Sequence, residues 1–153
     1  MPLYFAYGSN MDRAAMAVRC PQAKPLGLAR LPRHRFLITS DGYASVVRDP
    51  RRTVHGVLWD LALSDMPSLD RYESLHTGLY TKISQPVVTP GGARRALVYV
   101  GRSARKGTPK PGYLEGVLAA ARDWGLPVDY VYEMALGEPV PRRPGTPLFS
   151  APR

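Results

Sequence analysis

Leu3-Tyr4-Phe5-Ala6-Tyr7-Gly8-Ser9-Asn10 is the stretch around which the rest of the chain can be read. Leu3 to Tyr7 is a short apolar and aromatic run, the pattern of a buried strand. It ends at Gly8, which lets the backbone turn sharply or a ligand approach closely. Ser9 and Asn10 are strong helix N-caps, Asp12 suits the positive end of a helix, and Met11 to Val18 reads as the helix that follows. A strand that feeds a helix through Gly-Ser-Asn aims several N–H groups at one point. Such a corner can seat an anion or a developing oxyanion.

Downstream of that corner the pattern is mostly extended. Strands are expected at Lys24 to Leu31, with Gly27 as a bulge, and at Arg35 to Thr39. Asp41-Gly42 then marks a hairpin into Ala44 to Arg48. The polar turn Asp49-Pro50-Arg51-Arg52 separates that strand from Val54 to Leu61, whose His55, Val57, Trp59 and Leu61 face is the more apolar. Ser64 is placed to cap a short helix from Asp65 to Tyr72, with Glu73 at its end. Leu79 to Val88 and Arg94 to Val100 form a hairpin around Pro90-Gly91-Gly92. Tyr113 to Trp124 carries an amphipathic stripe stopped by Gly125, and a last helix runs from Pro127 to about Leu136. Six or seven largely antiparallel strands with inserted helices make an α+β protein. Its sheet is expected to close, or nearly close, as a small barrel of about six strands. The domain is expected over residues 1–137, with a tail over 138–153 that holds five prolines.

The 153 residues suit a single domain with a real core, at 44% hydrophobic and 22% charged residues. The N-terminal residues lack a signal-peptide pattern, and no apolar run is long enough for a membrane span. With the single cysteine Cys20, these features point to a cytoplasmic protein without disulfides. The net charge of +9 arises from 17 arginines and four lysines against 12 acidic residues. The arginines are dispersed, as in the pairs Arg51-Arg52, Arg94-Arg95 and Arg142-Arg143. Specific nucleic-acid binding is therefore not expected.

Metal chemistry finds no support in spacing. His34, His55 and His76 stand 21 residues apart, away from cysteines and carboxylates at ligand intervals. Ser9 lacks a nucleophile elbow. Carboxylates remain, and Glu73 differs from the others. It lies between Tyr72 and Leu75 where a helix breaks, with Tyr80 close after, and a carboxyl among aromatic rings loses solvation. Its pKa then rises toward the range useful for proton transfer.

Taken in order, Tyr4-Phe5-Ala6-Tyr7-Gly8-Ser9-Asn10-Met11, Ala29-Arg30-Leu31, Val54-His55-Gly56-Val57-Leu58-Trp59, Leu69-Asp70-x-x-Glu73 and Gly125-Leu126-Pro127-x-x-Tyr130 resemble the γ-glutamylcyclotransferase-like family. One departure is Ser74, where members commonly have Gly. The resemblance implies an enzyme that cyclises a γ-glutamyl amide to 5-oxoproline and releases the amine. It implies Glu73 as general acid and base, and the Gly8, Ser9 and Asn10 backbone as the anion or oxyanion site. Tyr7, Tyr80, Tyr99 and Tyr113 would wall the pocket, and no cofactor or metal is called for. The expected partner is a small γ-glutamyl molecule, on a monomer or homodimer that needs no membrane. An amino acid, a lysine-type amine and a larger conjugate all fit as the leaving amine. The competing reading is a non-catalytic binding or regulatory module on the same scaffold.

Overall fold

The computed structural model describes residues 2–73 and 79–138. Within them the chain runs through β1 (Leu3–Ala6), a 3-10 turn (Ser9–Met11), α1 (Arg13–Arg19), β2 (Lys24–Ile38) and β3 (Ala44–Asp60). A second 3-10 turn (Leu63–Asp65) leads into α2 (Met66–Tyr72), followed by β4 (Tyr80–Thr89), β5 (Gly92–Gly101), α3 (Tyr113–Trp124) and α4 (Val128–Leu136). The strands close into a barrel in the order β1-β3-β2-β4-β5. All neighbours are antiparallel except β1 and β5, which meet in parallel at Tyr4 and Leu97. The α+β barrel therefore matches the expectation, with five strands where about six were expected.

The strand count falls because two expected breaks are bulges. Lys24 to Leu31 and Arg35 to Thr39 belong to the single strand β2, and Ala44 to Arg48 continues into Val54 to Leu61 as β3. Pairing jumps from Pro32–Thr53 to His34–Arg48, so Asp49 to Arg52 are taken up without β2 partners. Arg33, opposite them, has a φ of 60°. A bulge tolerates Pro50, which has no N–H to give a ladder, without ending the strand. The expected bulge at Gly27 is present, as a register shift between Pro25 and Gly27 with a φ of 120°.

From Val54 onward both faces of β3 are largely buried, so the apolar alternation there is weaker than a half-exposed strand would show. His55 and Trp59 meet the helices through Tyr130 and Trp124, with ring centroids 4.7 and 6.3 Å apart. By alternation, Val54, Gly56 and Leu58 point the other way, and Val54 and Leu58 are fully buried there. Gly56 permits the closest approach: a Cβ on it would lie 2.3 Å from the Ala6 carbonyl oxygen and 2.9 Å from the Phe5 ring. The motif strand β1 is seated against β3 by that missing side chain.

Around the barrel, α3 ends where the sequence indicates, while the starts of α1 and α2 differ. α3 spans the expected residues and stops at Gly125, whose φ of 74° suits a left-handed cap. Ser64 caps nothing: it lies inside the second 3-10 turn, and α2 begins at Met66 without a side-chain cap. Glu73 closes α2, its N–H donating to the Leu69 carbonyl at 2.9 Å, and Leu69 is fully buried. The expected tail from 138 lies almost wholly outside the described residues, as do Ser74, Leu75, His76 and Gly78.

Candidate active site

The corner after β1 is built differently from a strand running straight into an α-helix. Ser9 to Met11 form one 3-10 turn, with Gly8 at its start, and α1 begins two residues later. Asp12 caps α1, its carboxylate accepting from Ala14 N–H at 3.1 Å. Ser9 and Asn10 are therefore not the caps expected, and the dipole of α1 is answered by Asp12 instead of by the corner. Their side chains turn to other work. The turn itself uses the N–H groups of Met11 and Asp12, which donate to the Gly8 and Ser9 carbonyls. The N–H groups of Ser9 and Asn10 precede those bonds, as the first donors of any helical turn do.

The turn is held from outside by α3. Trp124 Nε1 donates to the Met11 carbonyl at 2.6 Å, and the Arg13 guanidinium lies 3.6 Å above the same indole. The end of α2 comes up against it from the other side. Asn10, itself buried, donates from Nδ2 to Glu73 Oε1 at 3.2 Å and to the Tyr4 hydroxyl at 3.1 Å. Tyr4 in turn donates to the same carboxylate oxygen at 3.5 Å, a long bond. Ser9 Oγ and the Tyr72 hydroxyl are 2.6 Å apart.

A cavity of about 250 Å³ opens between these elements. Its lining includes every residue the sequence singled out: Tyr7, Gly8, Ser9, Asn10, Glu73, Tyr80, Tyr99 and Tyr113. Burial pushes the Glu73 carboxyl up to about 7. Arg19 and the Tyr4 hydrogen bond pull it down, and Asp70 pushes it further up. The direction is the one expected for a carboxyl that loses solvation.

The tyrosines divide by what their hydroxyls do. Tyr7 donates to the Tyr99 carbonyl, Tyr80 donates to the Ala44 carbonyl at 2.9 Å, and Tyr99 donates to Asp70 Oδ1 at 2.5 Å. Burial holds all three phenols well above their ordinary range, so they present rings to the cavity. Tyr113 is different: its oxygen accepts from Ala44 N–H at 3.2 Å, and Ser9 lies in hydrogen-bonding reach of the same hydroxyl. Burial raises that phenol to about 12.

Sequence reasoning missed Tyr4, Tyr43, Tyr72 and Arg19. Tyr43 and Tyr72 stand at the cavity mouth, 36% and 39% exposed. Tyr4 sits in the opening strand three residues before Tyr7, where it reads only as core, and its hydroxyl is what distinguishes it. Arg19 donates from Nη1 to Asn10 Oδ1 and stacks 3.5 Å over the Tyr72 ring. No spacing in the sequence links it to Glu73.

Residues 53–134 match the AIG2-like family model. Human γ-glutamylcyclotransferase is 29% identical over 90% of this chain and 79% of its own length; the bovine protein is 30% identical over the same shares. A solved structure of a γ-glutamyl cyclotransferase superposes with a TM-score of 0.82 at 29% identity, covering 91% of this chain and 89% of that one. With the family model matched over more than half of the chain, and with these relatives matching along most of it, the chain belongs to the AIG2-like family and is an enzyme of its γ-glutamylcyclotransferase-related branch.

Proposed function

We propose that the enzyme cyclises a γ-glutamyl amide, forming 5-oxoproline and releasing the amine, with Glu73 moving the proton. The observation that carries this reading is the meeting of Glu73, held near neutral pKa, with the Gly8-Ser9-Asn10 corner in one small aromatic cavity. In the reaction the α-ammonium of the substrate gives a proton to the Glu73 carboxylate. The freed amine attacks the side-chain amide carbon and closes a five-membered lactam. As the tetrahedral centre collapses, the bond to the departing nitrogen breaks; Glu73 gives that nitrogen the first proton and passes on a second, shed by the ring nitrogen, so that a neutral lactam and an ammonium leave. Atoms balance without water, covalent enzyme intermediate or cofactor. The main contribution of the site is to hold the glutamyl chain curled.

The N–H groups at Gly8, Ser9 and Asn10 serve the substrate carboxylate or the oxyanion. Each is worth ~2.7–4 kcal/mol when it acts as an oxyanion donor. Tyr7, Tyr80 and Tyr99 wall the glutamyl half with rings whose hydroxyls are already engaged, and Tyr113 adds a ring whose hydroxyl lies beside Ser9. We assign the catalytic domain to residues 1–137 and the reaction to the cytoplasm, on a small-molecule substrate. The basic surface has no part in the chemistry.

The test is Glu73→Gln on the purified protein, scored as 5-oxoproline and amine released in equal amounts from γ-glutamyl compounds. Loss of both products with the fold retained, seen by circular dichroism, is the expected outcome. Turnover at the wild-type rate would remove Glu73 from the mechanism.

A further inference from the structure

Behind Glu73 lies a cation that the reaction, as written, leaves unused. Arg19 ends α1, half-buried, and its guanidinium reaches two parts of the site at once. Nη1 donates to Asn10 Oδ1, while the flat face of the group covers the Tyr72 ring at 3.5 Å.

The first contact decides which way Asn10 points. The two ends of a carboxamide are alike in shape and opposite in polarity. With Oδ1 taken by a permanent cation, Nδ2 is the end left to face Tyr4 at 3.1 Å and Glu73 at 3.2 Å. Reversed, the amide would set its oxygen against the carboxylate and leave the guanidinium facing an NH2. The second contact fixes the ring whose hydroxyl stands 2.6 Å from Ser9 Oγ. One side chain therefore holds both the donor to the base and the rim of the donor corner.

We infer that Arg19 is a positioning residue for the proposed cyclisation: it orients the Asn10 amide toward Glu73 and, through Tyr72, steadies Ser9. The inference rests on Glu73 being the proton-transfer group. It also makes Arg19 an electrostatic partner of that group. The phenols facing Glu73 from β1, β4, β5 and α3 (Tyr4, Tyr80, Tyr99 and Tyr113), and Tyr7 beside them, all titrate well above neutrality. Tyr72, from the helix of Glu73 itself, carries Arg19 on its ring. Two charges remain among the described residues. Asp70, on the same helix and tied to Lys82 of β4 at 3.2 Å and Tyr99 of β5, pushes Glu73 up, and Arg19 pulls it down.

The experiment compares wild type with Arg19→Met, which keeps an apolar stem and loses charge and donors, and Arg19→Lys, which keeps charge and loses the planar fork. Two quantities are read: the titration of Glu73 by carbon NMR of labelled carboxyls, and kcat and KM against pH on a γ-glutamyl dipeptide. In Arg19→Met the Glu73 midpoint rises by ~1 pH unit, the acid limb of kcat/KM moves with it, and kcat at pH 7 falls at least ~10-fold. Arg19→Lys keeps the midpoint near wild type while kcat stays depressed. An unmoved midpoint in Arg19→Met overturns the inference, whether or not activity falls. Should that variant not fold, unchanged kcat in Arg19→Lys does the same. An error in the proposed reaction shows separately, as wild-type protein that does not turn the dipeptide over while Glu73 still titrates.

Discussion

Replacing Glu73 by glutamine separates the cost of the site from its use, because the same burial that readies the carboxyl for proton transfer strains the folded protein. Glu73 titrates at about 7 when folded, against an ordinary 4.5. Its folded pKa is raised, so between those values the native state binds more protons than the unfolded chain, and stability falls as pH rises through that window. At 1.36 kcal/mol for each pH unit of separation, the ionised side chain costs the fold about 3 kcal/mol above pH 7. Glutamine keeps an oxygen to accept from Asn10 and Tyr4 and carries no charge to desolvate. The stability of Glu73→Gln minus that of wild type should therefore be under ~1 kcal/mol at pH 5 and grow by about 2–3 kcal/mol by pH 8. At pH 8 this equals a gain of roughly 5–10 °C in Tm for a chain of this size. Urea denaturation of both proteins at the two pH values measures it, since every other titrating group is shared and cancels. Cyclising activity should fall ~10²–10⁴-fold in the same variant. A stability difference that is flat with pH, or that favours wild type at pH 8, would mean that Glu73 is not a strained buried carboxyl and that the reasoning from its surroundings is wrong.

Other outcomes follow from the same geometry. For wild type, kcat/KM should rise with pH around a midpoint of about 7, because Glu73 must be ionised to accept the ammonium proton; a level profile from pH 5 to 9 contradicts that role. Gly8→Ala places a methyl 3.1 Å from the Tyr113 hydroxyl and 3.4 Å from the Ala44 side chain, inside the cavity. KM should rise about 10-fold or more, with Tm little changed. Gly56→Ala drives a methyl to 2.3 Å from the Ala6 carbonyl, backbone that cannot step aside. Its cost should be ~3 kcal/mol or more in denaturant unfolding, and a stable variant would show that β1 is not seated as described.

Much of the fold was legible because its signals are local. Tyr113 to Trp124 shows a helical stripe and a glycine stop, and both ends of α3 follow from them. The β4–β5 hairpin is legible in the same way from Pro90-Gly91-Gly92. What misled was punctuation whose meaning depends on distant partners. Pro50 reads as the end of a strand, yet the bulge opposite Arg33 lets the ladder lose Asp49 to Arg52 and resume. The ladder resumes because His34 to Ile38 of β2 pair again with Ala44 to Arg48, partners that no window around Pro50 contains. The alternation of Val54 to Leu61 is likewise blurred because barrel and helices bury both faces.

The site divides along the same line. Glu73 could be found because part of its environment is written close by, in Tyr72, Tyr80 and the end of a helix. The donor corner could be found because Gly-Ser-Asn after a strand carries its own geometry. The corner is built differently from the strand-to-helix passage expected, however: Asp12, and neither Ser9 nor Asn10, caps α1, and the 3-10 turn between them is bonded to Trp124 of α3. This changes what must be preserved for the corner to act. The turn is held in part by an indole bond from more than a hundred residues away, so a change at Trp124 in α3 reaches the corner. Arg19 shows the limit most clearly. Its partners Asn10 and Tyr72 come together only when the barrel closes, so its influence on Glu73 belongs to the assembled structure and to no segment of the sequence.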